Sequence, residues 1–188
     1  MAWVGRPVGS GSKLAVAALM MFSVLAGCRG DDSTATTELD IFESGEPICG
    51  FVDAELVRQA LPAGTYEVRL VGDPSRRELG RPTAGRCHIE NAAGESAMGI
   101  IVEHSEAPFG KYLRSQREWE TFTFPDSEGT GWAGRLGPGE PGGYAVLERN
   151  DYIVRVAVVT PAEGRDAQED AIAIVRAVFR DLIDVEEG

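Results

Sequence analysis

A short apolar run near the N-terminus divides this chain into a leader and a remainder that has to fold without it. A basic head with Arg6 and Lys13 precedes the run, which covers residues 14–26. As a helix the run would be roughly 20 Å long, whereas a membrane span crosses a hydrocarbon core of about 30 Å. The layout therefore predicts a secretory signal peptide rather than a transmembrane helix. A signal peptide cleaved elsewhere is the nearer alternative, but no Ala-x-Ala-like site follows the run.

Small residues stand directly before a cysteine at the end of this run, in the order Leu25-Ala26-Gly27-Cys28. This order resembles the lipobox of bacterial lipoproteins. The resemblance implies that residues 1–27 are removed as a lipoprotein signal peptide and that the Cys28 sulfur carries a diacylglyceryl group. Cys28 is therefore the expected lipidation site, and two acyl chains on it would anchor the protein stably. The expected location is the cell membrane, with the protein facing outside the cytoplasm.

The chain is strongly acidic, with 18 lysine and arginine residues against 30 aspartate and glutamate residues and a formal net charge of −12. Nucleic-acid binding needs clusters of lysine and arginine against phosphate, so this charge balance argues against a nucleic-acid partner. It also disfavours flat binding to anionic lipid, which leaves the lipid on Cys28 as the expected membrane attachment.

The three cysteines indicate the same compartment. If Cys28 carries lipid, Cys49 and Cys87 remain as an even pair in an exported chain, which predicts a disulfide. The alternative is a redox-active or catalytic thiol. Against it, the sequence has no Cys-x-x-Cys motif, and an unpaired thiol outside the cell tends to be oxidised.

Composition changes after the apolar run. Residues 28–47 are small, polar and acidic, and they predict a disordered tether between the lipid and a domain. Residues 48–186 are numerous enough to bury one core and predict a single extracytoplasmic domain. Within it, Asp53 is a suitable N-cap for a short helix that ends at Leu61.

Alternating and helical patterns predict the remaining elements. Helices are expected at 109–119 and 162–183, and a long glycine-rich loop with room for one short strand is expected at 125–143. Strands are expected at 66–70, 86–90, 96–104, 144–149 and 152–160. This order predicts an α+β fold with a mostly antiparallel sheet of five to six strands and three packed helices.

The lipobox and the acidic tether are followed by Cys49, which opens a short helix, and by Cys87, which starts a strand before a hairpin. Together these features resemble the small lipoproteins of actinobacteria that are grouped as a domain of unknown function. The resemblance covers nearly the whole chain and implies one disulfide-bonded domain on a lipid anchor. The element order is also similar to that of extracytoplasmic lipoproteins and sensor domains with a Mog1/PsbP-like fold, a likeness of fold alone.

The sequence contains no complete catalytic constellation. Ser96 has Met98 where the motif of a hydrolase nucleophile has its second glycine, and it opens a predicted strand instead of a strand-to-helix turn. His88 and Glu90 share one face of a predicted strand, and with His104 they could form a divergent hydrolase site. A partly exposed strand histidine is the plainer interpretation. The spacing of these residues predicts neither a metal site nor a cofactor site.

Trp132 lies in the predicted glycine-rich loop and is of a residue type that often anchors protein contacts, so it is a predicted partner-contact residue. We therefore expect a non-catalytic binding, accessory or sensor module of the cell envelope, whose partner is an envelope protein or a small ligand. The alternative is a divergent envelope hydrolase that uses His88, Glu90 and His104.

Overall fold

The computed structural model describes residues 34–40, 45–78, 80–106 and 120–184. The predicted leader at 1–27, the predicted lipidation site Cys28 and the predicted helix at 109–119 lie outside these residues.

In the described ranges the chain forms ten strands and two helices. Helix α1 spans Ala54–Ala60, and helix α2 spans Ala167–Val178 and continues into a π-helical turn at Phe179–Ile183. The strands are β1 Thr34–Asp40, β2 Thr65–Gly72, β3 Arg77–Glu78, β4 Arg81–Pro82, β5 Gly85–Asn91, β6 Ser96–His104, β7 Glu120–Thr123, β8 Thr130–Arg135, β9 Gly143–Arg149 and β10 Tyr152–Val158.

Seven strands form one antiparallel sheet in the order β2-β5-β6-β10-β9-β8-β7, and β1 adds an eighth strand along the outer edge of β2. The predicted α+β class with a mostly antiparallel sheet is confirmed. The sheet has more strands than the five to six expected, because β1 and β7 form where no strand was predicted. The described part of the chain contains two helices rather than three. Strands β3 and β4 form a separate small hairpin.

Residues 34–40 form strand β1 where the sequence predicts a disordered tether. The strand pairs antiparallel with β2, from Thr34 opposite Val71 to Asp40 opposite Thr65. The small and polar composition of the segment suggests disorder. Strand pairing, however, is made by backbone N–H and C=O groups, and threonine favours an extended backbone.

Helix α1 begins and ends where the sequence predicts. The Asp53 side chain accepts a hydrogen bond from the Glu55 backbone N–H at 2.8 Å, which satisfies a donor that the first turn leaves open. At the other end, the Leu61 N–H donates to the Val57 carbonyl at 3.0 Å. Val57, Ala60 and Leu61 are buried, so the helix is held by its apolar face.

The hairpin of β9 and β10 is also confirmed. Its two-residue turn consists of Asn150, with φ of 51°, and Asp151, with φ of 65°. Both values lie in the left-handed region that a type I′ turn requires, and asparagine and aspartate tolerate this region better than most residues.

Helix α2 begins later than position 162, where the prediction placed its start. Asp166 accepts hydrogen bonds from the backbone N–H groups of Gln168 and Glu169, and it thereby fixes the first turn. The five residues before this cap contain Pro161 and Gly164, which has φ of 75°, so they cannot continue the helix. The prediction started the helix too early because some residues before Asp166 also fit a helical period. Periodicity alone does not show at which residue a helix begins.

The glycine-rich segment 125–143 contains strand β8, which takes the place of the one short strand expected within this loop. β8 pairs with β9 in register, with Trp132 opposite Val146. A Cβ atom on Gly131 would collide with the Val146 carbonyl, and one on Gly143 would collide with the start of α2. These two glycines therefore let neighbouring backbone segments pack closely against the strand. The glycine-rich composition, read alone, suggests a flexible segment instead.

Helix α2 packs on one face of the sheet, over β8, β9 and β10. Alternate residues of a strand point to opposite faces. One set of strand side chains faces the helices and forms the main core, in which Val154, Val156, Ile174 and Val175 are fully buried. The other set forms a second buried cluster on the opposite face, made of Trp132, Tyr144, Val146 and Ile153.

The predicted disulfide between Cys49 and Cys87 is present, with the two Cα atoms 6.0 Å apart. Cys49 lies in the turn that precedes α1, and Cys87 is fully buried in β5. The bond therefore joins the turn and helix at the start of the domain to the middle of the sheet.

Removing this bond should destabilise the domain. The two cysteines are 38 residues apart, and closing a loop of this length restricts the unfolded chain by about 4 kcal/mol. We expect the variant Cys49→Ser/Cys87→Ser to lose about this much free energy of unfolding, measured by urea titration. Cys28→Ser, which retains the bond, is the control and should unfold at the wild-type midpoint. An unchanged midpoint in the double variant would contradict a stabilising role.

Candidate functional site

His88 and Glu90 lie on the face of the sheet opposite α2, beside Arg69 of β2. Arg69 Nη2 lies 3.0 Å from Glu67 Oε1 and 3.4 Å from Glu90 Oε2. The hydrogen bond that Arg69 donates to Glu67, together with the charge of Glu90, raises the pKa of Arg69. His88 is directly opposite Arg69 in the strand register, and in the described structure no hydrogen bond joins it to Glu90. Glu90 therefore balances a guanidinium and does not orient an imidazole.

His104 lies at the end of β6 and faces the other way. His88 is paired with Gly99, and His104 is an odd number of positions further along the same strand, so the two imidazoles point to opposite faces. The His104 ring packs against Tyr152, its cross-strand partner, with the ring centroids 4.7 Å apart and the ring planes tilted by 35°. His88, Glu90 and His104 therefore share no cleft, and the hydrolase alternative lacks the joint site that it requires.

Trp132 is buried and does not lie on an exposed loop. It is 1% exposed, on the central part of β8, and it packs with Tyr144, Val146 and Ile153. The prediction that Trp132 contacts a partner rested on a surface loop, and the strand at this position removes that basis. A tryptophan in a glycine-rich segment can fill the space that the glycines leave. Composition alone does not show whether such a side chain is buried or exposed.

A cavity of about 410 Å³ opens beside His104, between the end of β6 and the small hairpin of β3 and β4. It is lined by Glu78, Arg81, Pro82, Thr83, Ala84 and His104. We call it the hairpin cavity. Its volume falls within the range that holds a small molecule.

The hairpin that forms one wall is attached to the domain by side-chain hydrogen bonds. The Arg77 guanidinium donates to the Leu182 carbonyl at 3.1 Å, in the π-helical turn that follows α2. The Tyr152 hydroxyl, which is buried, donates to the Pro82 carbonyl at 2.9 Å. Because both bonds connect parts of the chain that are distant in sequence, they fix the hairpin against the end of the sheet.

The guanidinium of Arg81 lines the hairpin cavity, together with the carboxylate of Glu78. Burial raises the pKa of Tyr152, and the guanidinium groups of Arg81 and Arg77 act in the opposite direction, so both lie near its phenol. Arg81 makes no hydrogen bond or ion pair with any residue that the structure describes. The cavity thus combines a guanidinium that no described residue pairs, a group that binds anions, with an imidazole ring and the carboxylate of Glu78.

Two other cavities are lined by more carboxylates than guanidinium groups. The cavity of about 360 Å³ beside the disulfide contains Glu55 and Asp181, and each accepts hydrogen bonds from an arginine. The cavity of about 370 Å³ at the start of α2 contains Arg135 together with the carboxylates of Glu140, Glu163 and Asp166. Both environments disfavour an anion.

Sequence reasoning placed no element between residues 72 and 84 and missed the hairpin cavity. The available signal is the group of basic residues Arg76, Arg77 and Arg81 around Gly80, whose φ of 80° suits a tight turn. The contribution of His104 could not be found in this way, because only the packing of the hairpin against the end of β6 brings it near.

The burial of Trp132 leads to a prediction on stability. Trp132→Ala should lower the free energy of unfolding by about 3–5 kcal/mol, because it empties a packed site. Val159, which is 37% exposed, provides the control, and Val159→Ala should change the same quantity by less than about 0.5 kcal/mol. Both values can be measured by urea titration. Equal stability of Trp132→Ala and the wild type would show that the side chain is not part of the core.

In the ranges that the structure covers, no helix is both long and apolar enough to span a membrane, and no group of three or more His, Cys, Asp or Glu side chains could hold a metal ion. Comparison of the chain with protein-family models, with curated proteins and with solved structures found no match. A function for this chain therefore has to be proposed from its own residues and geometry.

Proposed function

We propose that this chain is a lipid-anchored module outside the cytoplasm that binds a small ligand or a partner protein and catalyses no reaction. The observation that carries the binding role is the hairpin cavity, where Arg81 and His104 line one space of about 410 Å³. A guanidinium and a ring can hold a ligand by charge and contact area, and this binding needs no chemical step. An accessory or sensor role follows if the bound state is recognised by another envelope protein.

The location is argued from the cysteines and the leader. A structural disulfide such as Cys49–Cys87 persists in oxidising compartments and is rare in the cytosol. The basic head and apolar run before Cys28 are typical of an export signal, and the small residues before Cys28 suit lipid attachment. Membership of the actinobacterial lipoprotein family stays a prediction from the same residues.

Membrane attachment should depend on the thiol of Cys28. Cys28→Ala removes the only sulfur at the proposed cleavage site, so the precursor should stay uncleaved or the protein should be released to the medium. Fractionation of cells and the intact mass of the protein report the two outcomes. Gly27→Ala is the matched control, because alanine keeps the small side chain before the cysteine, and this variant should remain lipidated and membrane-bound.

Normal lipidation and membrane retention of Cys28→Ala would contradict the proposed anchor. Release of wild-type protein from membranes by high salt would also contradict it, because salt screens surface charge and does not extract acyl chains.

A further inference from the structure

We infer that the hairpin cavity binds a small organic carboxylate, with the carboxylate on Arg81 and the apolar part of the ligand against the His104 ring. This inference names the ligand class for the binding role proposed above and rests on that role.

The first step concerns the charge of Arg81. Most arginines that the structure describes are neutralised by carboxylates, in the pairs Arg58–Glu55, Arg69–Glu67, Arg76–Glu78, Arg86–Glu103, Arg149–Asp184, Arg165–Asp170, Arg176–Glu128 and Arg180–Asp181. In an acidic protein such pairing is expected, because carboxylates outnumber guanidinium groups. Arg81 makes no such pair with a described residue although Glu78 stands opposite it in the hairpin. No described residue therefore neutralises its charge.

The second step concerns position. Arg77, two residues before the turn, donates a hydrogen bond to the Leu182 carbonyl. This bond holds the Arg77 guanidinium near the cavity through a neutral acceptor. Pro82, directly after Arg81, is fixed by the hydrogen bond from the Tyr152 hydroxyl. Because the backbone on both sides of the turn is attached to the domain, Arg81 extends from an ordered backbone. This order lowers the conformational entropy that is lost when a ligand binds.

The third step concerns the wall of the cavity. The His104 ring is held at 4.7 Å from the Tyr152 ring, and Pro82 and Ala84 add apolar surface beside it. Such a wall offers contact area to a planar or apolar group next to the charged end of a ligand. A free inorganic ion would leave this area unused.

The fourth step separates a carboxylate from a phosphate. The planar fork of a guanidinium fits two oxygens of a carboxylate or of a phosphate, so this fit alone does not separate them. The carboxylate of Glu78 also lines the cavity and offsets part of the attraction that Arg81 exerts on an anion, whereas removing a doubly charged phosphate from water costs more than removing a singly charged carboxylate. A singly charged organic acid therefore fits the described groups better.

The test uses the purified full-length chain in detergent, with benzoate as the probe and benzamide as its neutral counterpart. Binding is followed by calorimetry and by the NMR signals of the His104 ring. We expect benzoate to bind with a Kd on the order of 1 mM or lower and to shift the His104 signals, and we expect benzamide to bind at least about tenfold more weakly.

Two substitutions locate the site. Arg81→Gln removes the free charge and should weaken benzoate binding at least about tenfold, and Arg81→Lys, which keeps the charge and loses the fork, should weaken it by a smaller factor. Arg135→Gln is the matched control, because Arg135 likewise has no described partner and lies in another cavity. This control should leave the Kd within about twofold. Both arginines are exposed, and an unchanged urea midpoint confirms that each variant is folded.

Three results would overturn the inference. They are no benzoate binding at about 10 mM, tighter binding of inorganic phosphate than of benzoate, and equal weakening by Arg81→Gln and Arg135→Gln. None of these results bears on membrane attachment through Cys28, so a failure of the carboxylate site is distinguishable from a failure of the proposed anchor.

Discussion

The antiparallel ladder between β6 and β10 is the contact on which the rest of this fold depends. The strands β1, β2, β5 and β6 lie side by side in chain order, and β10, β9, β8 and β7 lie side by side in reverse order. These two sets meet in the sheet only where β6 pairs with β10. The inward side chains of both strands, among them Ile100, Val102, Val154 and Val156, are fully buried. Burial of apolar surface therefore adds to the backbone hydrogen bonds that join the two halves.

The pairing of β6 with β10 determines the geometry of the hairpin cavity. Tyr152 and His104 are the pair at its end, and the hydrogen bond from Tyr152 to Pro82 attaches the small hairpin there. A shift of one residue in the pairing would turn the His104 ring to the opposite face of the sheet. The buried strand residues that fix this register are distant from the cavity, yet they determine which side chains line it.

Local patterns were sufficient to predict the elements with strong signals, and they failed where backbone pairing or packing decides. The cap at Asp53, the Asn150-Asp151 turn and the Cys49–Cys87 pair each depend on a few adjacent residues or on residue counting, and all three are confirmed. Strand β1 is made by a partner elsewhere in the chain, and its polar composition conceals it. One short strand was expected in the glycine-rich segment, but its composition conceals that β8 is paired and buried. For the same reason Trp132 was predicted to be exposed, and the meeting of Arg81 with His104 was not predicted.

Strand β1 has a consequence for the length of chain that would separate the proposed anchor from the domain. A disordered tether of about twenty residues would let a domain turn freely above a membrane. Only residues 29–33 separate Cys28 from β1, a reach of roughly 20 Å when fully extended. With lipid on Cys28, the first strand of the domain would therefore begin six residues after the anchor rather than about twenty.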